Sequence, residues 1–207
     1  MTVFRVMQIV VVTDDLLKEE LLADGVLAGA RVEWISEIEE LNKYPNAEAC
    51  IDLLFTPTGE RIQLLQQKDI VIINSVEYTL TETHQDFVRI NGWNTFLKSA
   101  TIEASAGTAN RAKAENVFDC FHKKISWLPD TPGFVTPRVV SMMINEAYMA
   151  LQDGVSTMDE IDIAMKLGTN YPYGPFEWAE KIGREKITAL LEKLSLQNPL
   201  YTPASSL

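Results

Sequence analysis

The sequence predicts an α/β domain, with a parallel sheet covered by helices on both faces, followed by an all-helical domain. Three observations carry this. Val6 to Val12 is a continuous apolar and largely β-branched run, suited to a strand buried on both faces. From there to about Lys123, strand-like and helix-like runs alternate, the pattern of parallel strands joined by crossover helices. The second half then reads as helix after helix, its apolar residues recurring at helical spacing.

Taken in order, Asp14 and Asp15 follow the first strand and lead into a helix over Leu16 to Ala23, with Gly25 or Gly29 to end it. Arg31 to Ile35 is a second strand. Ser36 and Glu39 have the spacing of a capping box, which opens a short acidic helix through about Leu41. Cys50 to Phe55 is a third strand, Gly59 to Gln67 a helix with Ile62 and Leu65 inward, and Ile70 to Asn74 a fourth strand. Shorter strands at Val88 to Asn91 and Thr101 to Ala104 precede a helix from about Thr108 to Lys123. This architecture is Rossmann-like.

In the second half, Thr136 is placed to cap a helix beginning with Pro137, a residue tolerated there because its missing N–H has no intrahelical partner. Val139, Met142, Met143, Ala147, Ala150 and Leu151 form its apolar stripe, which ends before Gly154. The Met pair reads as core or subunit-interface packing. Thr157 and Glu160 make a second capping box, starting a helix that stops at Gly168. Tyr171 to Trp178, rich in Gly, Pro and aromatic residues, bends the chain and begins a helix at Pro175. A last amphipathic helix starts at Arg184, with Ile187, Leu190, Leu191 and Leu194 on one face. The expected domains are 1–126 and 127–207, joined near Ile125 to Asp130.

Composition narrows the function. With 46% hydrophobic and 23% charged residues the chain reads as a soluble globular protein. A net charge of -11 argues against nucleic acid and against an anionic membrane, since phosphate surfaces are held by Lys and Arg. A CoA ester, also anionic, requires basic residues gathered locally. Cys50 and Cys120 have no metal-ligand spacing and read as reduced thiols. No apolar run reaches membrane-spanning length and Met1 to Val12 has no signal-peptide cleavage site, so the cytoplasm is the expected compartment.

Asp130-Thr-Pro-Gly-Phe134, Asn145-Glu-Ala147, Gly154-Val155, Asp159-Glu-Ile-Asp162, Ala164-Met165 and Tyr171-Pro-Tyr-Gly-Pro-Phe-Glu177 occur in an order and spacing that resemble the C-terminal domain of the 3-hydroxyacyl-CoA dehydrogenases. The resemblance covers roughly residues 126 to 207. It implies that the helical part has the 6-phosphogluconate-dehydrogenase-C-terminal-like fold and that the part ahead of it derives from an NAD-binding domain. It also implies a link to acyl-CoA metabolism, and pairing through the C-terminal helices as a homodimer.

The same resemblance points to a site. The family carries a Ser-Asn pair after the fourth strand, a His in a Gly-Met-His context, and a Glu that orients this His as acid/base for the substrate hydroxyl. Here Ile73-Asn-Ser-Val76 falls at the Ser-Asn pair, so Ser75 is a site position. Arg89-Ile-Asn-Gly-Trp-Asn94 matches the run to the His, which puts Asn94 at that position, and Glu103 falls at the Glu. An amide takes up no proton near neutral pH, so Asn94 is no general base. Pro137 stands where the family has an Asn beside Arg138.

A dinucleotide-binding turn needs glycines that let the backbone approach the pyrophosphate. The turn here, Val12-Thr-Asp-Asp-Leu-Leu17, has none, and its two carboxylates suit capping of the next helix. NAD therefore rests on family resemblance alone, and no cofactor-binding or metal residue is assigned. Glu33 and Glu37 read as solvated charge, His122 as a helix-end surface residue and His84 as part of a polar loop. Two functions follow: a catalytically silent binding or assembly module, with an acyl-CoA as possible ligand, or an active dehydrogenase with an atypical site.

Overall fold

The structure is a computed structural model that describes residues 7–207; Val6, the first residue of the strand read from the sequence, lies outside them. The chain divides into two compact units between Thr131 and Pro132, later than the 126/127 boundary read from sequence. The difference has a plain cause. Lys124–Trp127, which overlaps the expected join at Ile125 to Asp130, is a strand at the edge of the sheet, and Leu128 extends its bonding by donating to Ala104 O at 2.8 Å.

The first unit is one seven-stranded sheet. Its strands are β1 (Gln8–Val12), β2 (Arg31–Ile35), β3 (Ala49–Asp52), β4 (Ile70–Asn74), β5 (Val88–Ile90), β6 (Thr101–Ser105) and β7 (Lys124–Trp127), in the order β2-β1-β3-β4-β5-β6-β7. All neighbours are parallel except β5 and β6, which are antiparallel. The helices are α1 (Asp15–Leu21), α2 (Gly59–Leu65) and α3 (Thr108–Asp119).

Strand alternation sorts the core onto two faces. Ile9, Val11, Ile51 and Ile72 meet Leu17 and Leu21 of α1 and Val117 and Phe118 of α3 on one side. Val10, Val12, Cys50, Val71 and Ile73 meet Leu65 of α2 on the other, with Ile38 and Leu41 of a 3-10 helix, Ile38–Lys43. That short helix is capped by the backbone of Glu37 without a side-chain bond, so the Ser36/Glu39 box expected from the sequence does not form. By contrast, Asp14 caps α1 as its position implies, accepting from Leu17 N at 2.8 Å.

The second unit holds α4 (Thr136–Gln152), α5 (Met158–Thr169), α6 (Pro175–Ile182) and α7 (Arg184–Ser195). Thr136 is the first residue of α4 rather than its cap, and Val135 takes the cap position with no side-chain bond. The inward face of α4 is also turned from the expected stripe. Val140, Ser141, Ile144, Asn145, Ala147 and Tyr148 are buried, while Val139 is 58% exposed and Met142 and Met143 are half-buried. Polar Asn145 is tolerated inside because its amide is satisfied there, donating to Thr202 O at 2.9 Å and accepting from Ala204 N at 2.7 Å.

The capping box at Thr157 and Glu160 forms as read. The helix it opens runs to Thr169 and ends on Asn170 in the left-handed region, φ 56°. Asp162 on α5 then explains the Gly-Pro-Phe-Glu turn. Its two oxygens accept from Phe176 N at 2.9 Å and Glu177 N at 3.1 Å, capping α6 from a neighbouring helix. Gly174 is needed for this approach, because a Cβ there would lie 2.2 Å from Asp162 Cγ.

Candidate functional site

In open α/β sheets, ligands bind beyond the carboxyl ends of the strands. The β4 end is bound to both its neighbours by one side chain. Asn74 donates to Leu53 O and to Gly92 O, each at 3.1 Å, and accepts from Gly92 N at 3.0 Å. The contact is close enough that a Cβ on Gly92 would stand 2.8 Å from Asn74 Cγ. At the β3 end, buried Asp52 receives a two-pronged bond from Arg61 at 2.6 and 2.7 Å and accepts from Leu54 N. Burial pushes the Asp52 carboxyl up from its ordinary value, and the guanidinium pulls against that.

Beside the β1 and β2 ends is an open depression of about 240 Å³, lined by Thr13, Asp14, Asp15, Lys18, Trp34, Ser36 and Glu40 among others. Its acids outnumber its one cation, Lys18, whose ammonium lies 5.1 Å from the Trp34 ring centre. Glu33, whose side chain is 25% exposed, pairs with Arg31 at 2.8 Å.

Of the three site positions read from the sequence, Ser75 is buried and committed to local structure. Its hydroxyl donates to Tyr78 O at 2.9 Å, and its carbonyl accepts from Arg89 Nε at 3.0 Å. Glu103 lies on β6, and one side chain bonded to it is that of Asn91, which the sequence reading passed over. Antiparallel register sets this: Ile90 stands opposite Ala104, so the next residue along β5 meets Glu103, with Asn91 N bonded to Glu103 O at 2.9 Å. The Asn91 amide donates to Glu103 Oε2 at 3.3 Å. Asn94, half-buried, lies in the turn that follows.

Arg89 is the other residue that sequence reasoning missed. Its guanidinium is fully buried and bonds Asp130 Oδ1 at 2.7 Å together with the carbonyls of Ser75, Val76 and Thr131. Asp130 Oδ2 accepts in turn from Leu80 N. Neither histidine joins the site: the His84 ring packs on Phe87, and His122 is exposed just after α3. Among the described residues no group of three or more His, Cys, Asp and Glu is arranged to hold a metal, and no helix is long and apolar enough to cross a membrane.

The first unit thus has the doubly wound, mostly parallel sheet of dinucleotide-binding domains, followed by a helical unit, an arrangement found in dehydrogenases. Residues 133–206 match the 3-hydroxyacyl-CoA dehydrogenase C-terminal domain. The 3-hydroxyadipyl-CoA dehydrogenase of Escherichia coli is 41% identical over 99 residues, 47% of this chain and 21% of that protein. The 3-hydroxybutyryl-CoA dehydrogenase of Clostridioides difficile is 30% identical over 151 residues, 68% of this chain and 51% of that protein. The chain therefore spans about a fifth to a half of the length of these relatives. In fold, it is similar to (S)-3-hydroxybutyryl-CoA dehydrogenase from Ralstonia eutropha, with a TM-score of 0.72, 19% identity, and coverage of 97% of this chain and 91% of the other. In its C-terminal unit the chain belongs to the 3-hydroxyacyl-CoA dehydrogenase family.

Proposed function

We propose that this chain is a catalytically silent relative of the 3-hydroxyacyl-CoA dehydrogenases, serving as a binding or assembly module in acyl-CoA metabolism. The observation that carries the reading is the site around Glu103, where an amide, Asn94, stands at the family's His position and a second amide, Asn91, bonds the carboxylate. On this proposal Asn94 stands at the place of the family's acid/base His, as the Gly92-Trp93-Asn94 run implies, and the Glu103 carboxylate holds the amide of Asn91. An amide held by a carboxylate is well oriented and still moves no proton at neutral pH. The glycine-free turn at Thr13 to Asp15 and the proline at position 137 support the same conclusion, as does Asp14, whose carboxylate is engaged in capping α1.

The test is calorimetry with NAD and acetoacetyl-CoA, together with an assay for 3-hydroxybutyryl-CoA oxidation. The expected result is CoA-ester binding without micromolar NAD affinity and without NADH production. Robust NADH production that survives removal of contaminating enzymes would overturn silence and restore the active-dehydrogenase reading.

The partner in this proposal is a second copy, met through the C-terminal helices. Supporting it, no residue of α5 is buried, and Ile163 and Leu167 are 53% and 83% exposed on a helix of amphipathic sequence. Twofold pairing is the commonest way to cover such a face. Light scattering at micromolar concentration should give about twice the chain mass of 23.3 kDa, and Leu167→Asp should return it to that of the monomer. A wild-type monomer would defeat the pairing.

A further inference from the structure

The doubly wound strand order continues past its second strand to a third at the outer edge of the sheet. Here the sheet stops sooner. Among the described residues β2 has β1 as its one neighbour, and the chain after it forms the 3-10 helix Ile38–Lys43 instead of a strand. The edge of β2 is therefore open, and the ladder says which groups lie along it. Arg31 N donates to Met7 O at 3.3 Å and Ile35 O accepts from Thr13 N at 2.9 Å, so Arg31, Glu33 and Ile35 turn their backbone groups to β1. The N–H and C=O groups of Val32 and Trp34, with the carbonyl of Ala30, point the other way, in a row that can pair with another strand.

Charge decides what fits that row. Successive side chains alternate between faces, so Arg31 and Glu33 stand on one face with Ile35, while Val32 and Trp34 turn to the core under α1 and α3. A strand with Arg and Glu two residues apart complements a second copy of itself laid antiparallel about Val32. Val32 then exchanges both backbone bonds with its twofold mate, and Trp34 N meets the Ala30 carbonyl of the other copy. At the closely spaced positions between, Arg31 of each copy faces Glu33 of the other. Centring the pair on Glu33 would instead set two carboxylates directly opposite each other, which is unfavourable. Within one chain the bond from Arg31 to Glu33, at 2.8 Å, engages Nε, and the Arg31 side chain is 66% exposed, so its terminal nitrogens can reach a second carboxylate. The opposite edge has no such complement: β7 carries Lys124 as its one charge, 78% exposed, the kind of edge residue that keeps strands apart.

We propose that the open edge of β2 is an interface between two copies of this chain, paired antiparallel about Val32 so that two seven-stranded sheets run on as one. A contact between two five-residue strands is small, so it forms at higher concentration than the α5 pairing and is independent of it. Sedimentation velocity on the Leu167→Asp variant, from about 10 μM to about 1 mM, should show a reversible shift from monomer to dimer. Arg31→Glu and Glu33→Arg each place like charges across the pair and should each weaken that association by about tenfold or more. Mixing these two variants in equal amounts should restore it, and so should combining both changes in one chain, because each arrangement again sets Arg opposite Glu. The unaltered edge gives a second reading: the Val32 and Trp34 amides should exchange about threefold or more slowly at the higher concentration. No association up to about 1 mM would overturn the proposal, as would association that survives both charge reversals. Losses that neither the mixture nor the double variant repairs would overturn it too, and so would Val32 and Trp34 exchange that is indifferent to concentration while the mass doubles.

Discussion

Replacing Arg89 by methionine should destabilise the protein more than any surface change. Arg89 is 0% exposed, and its guanidinium donates to Asp130 Oδ1 at 2.7 Å, to Ser75 O at 3.0 Å, and to Val76 O and Thr131 O at 3.1 Å each. Methionine keeps much of the length and apolar bulk, so the variant reads mainly the polar terms. Removing one partner of a buried ion pair costs about 3–5 kcal/mol, because the other charge and the freed carbonyls are left without compensation. Asp130 is 26% exposed, so water recovers part of its solvation and the lower half of that range is expected, about 3–4 kcal/mol. For a chain of this size each kcal/mol shifts the midpoint by about 2–4 °C, which gives a fall of roughly 6–16 °C. Thermal denaturation followed by circular dichroism measures the total. Amide exchange at Leu80, whose N–H is held by Asp130 Oδ2, measures the local effect. Arg89→Lys should fall between, since an ammonium keeps the charge and loses the planar fork. A loss below about 1 kcal/mol for Arg89→Met, with the Leu80 amide still protected, would refute the assignment of Arg89 as the tie between the β4–β5 loop and Asp130.

Asp162→Ala should cost about 1–2 kcal/mol through loss of the α6 cap, seen as faster exchange at Phe176 and Glu177; unchanged exchange there would count against it. Gly174→Ala should be worse than Asp162→Ala, because its Cβ must displace the Asp162 carboxylate, and equal melting temperatures would contradict this. Burial pushes the Cys50 thiol up, so a thiol reagent should leave Cys50 unmodified until the protein unfolds; rapid labelling of Cys50 in the native protein would rule the burial out. Burial also raises the Glu20 carboxyl above 4.5, so the folded form holds that proton more tightly than the unfolded chain. Its contribution to stability is full below pH 4.5 and is lost as pH rises through the folded-state value. Glu20→Gln should therefore flatten the decline of urea-unfolding stability from about pH 4.5 upward, and an unaltered profile would argue against a desolvated carboxylate.

What the sequence determined by itself is what neighbouring residues decide. The β-branched runs at Val10 to Val12 and Ile70 to Ile73 specify buried strands because their alternation serves two covered faces, and Asp14 and Thr157 mark helix starts because the bonds they make span only three residues. The Tyr-Pro-Tyr-Gly-Pro-Phe-Glu motif likewise marked the family of the helical unit. The tertiary structure decided everything that depends on a partner distant in sequence. Lys124 to Trp127 has little apolar pattern and is a strand only because β6 offers it a parallel edge. Asn145 faces inward because the chain end supplies a carbonyl and an N–H for its amide. The candidate site shows the limit most clearly. That Asn91 pairs with Glu103 turns on the register of two antiparallel strands, and side chains change face with every residue of slip. That register is set by backbone bonds between β5 and β6, which carry no side-chain signature, so only the assembled sheet could bring Asn91 to Glu103.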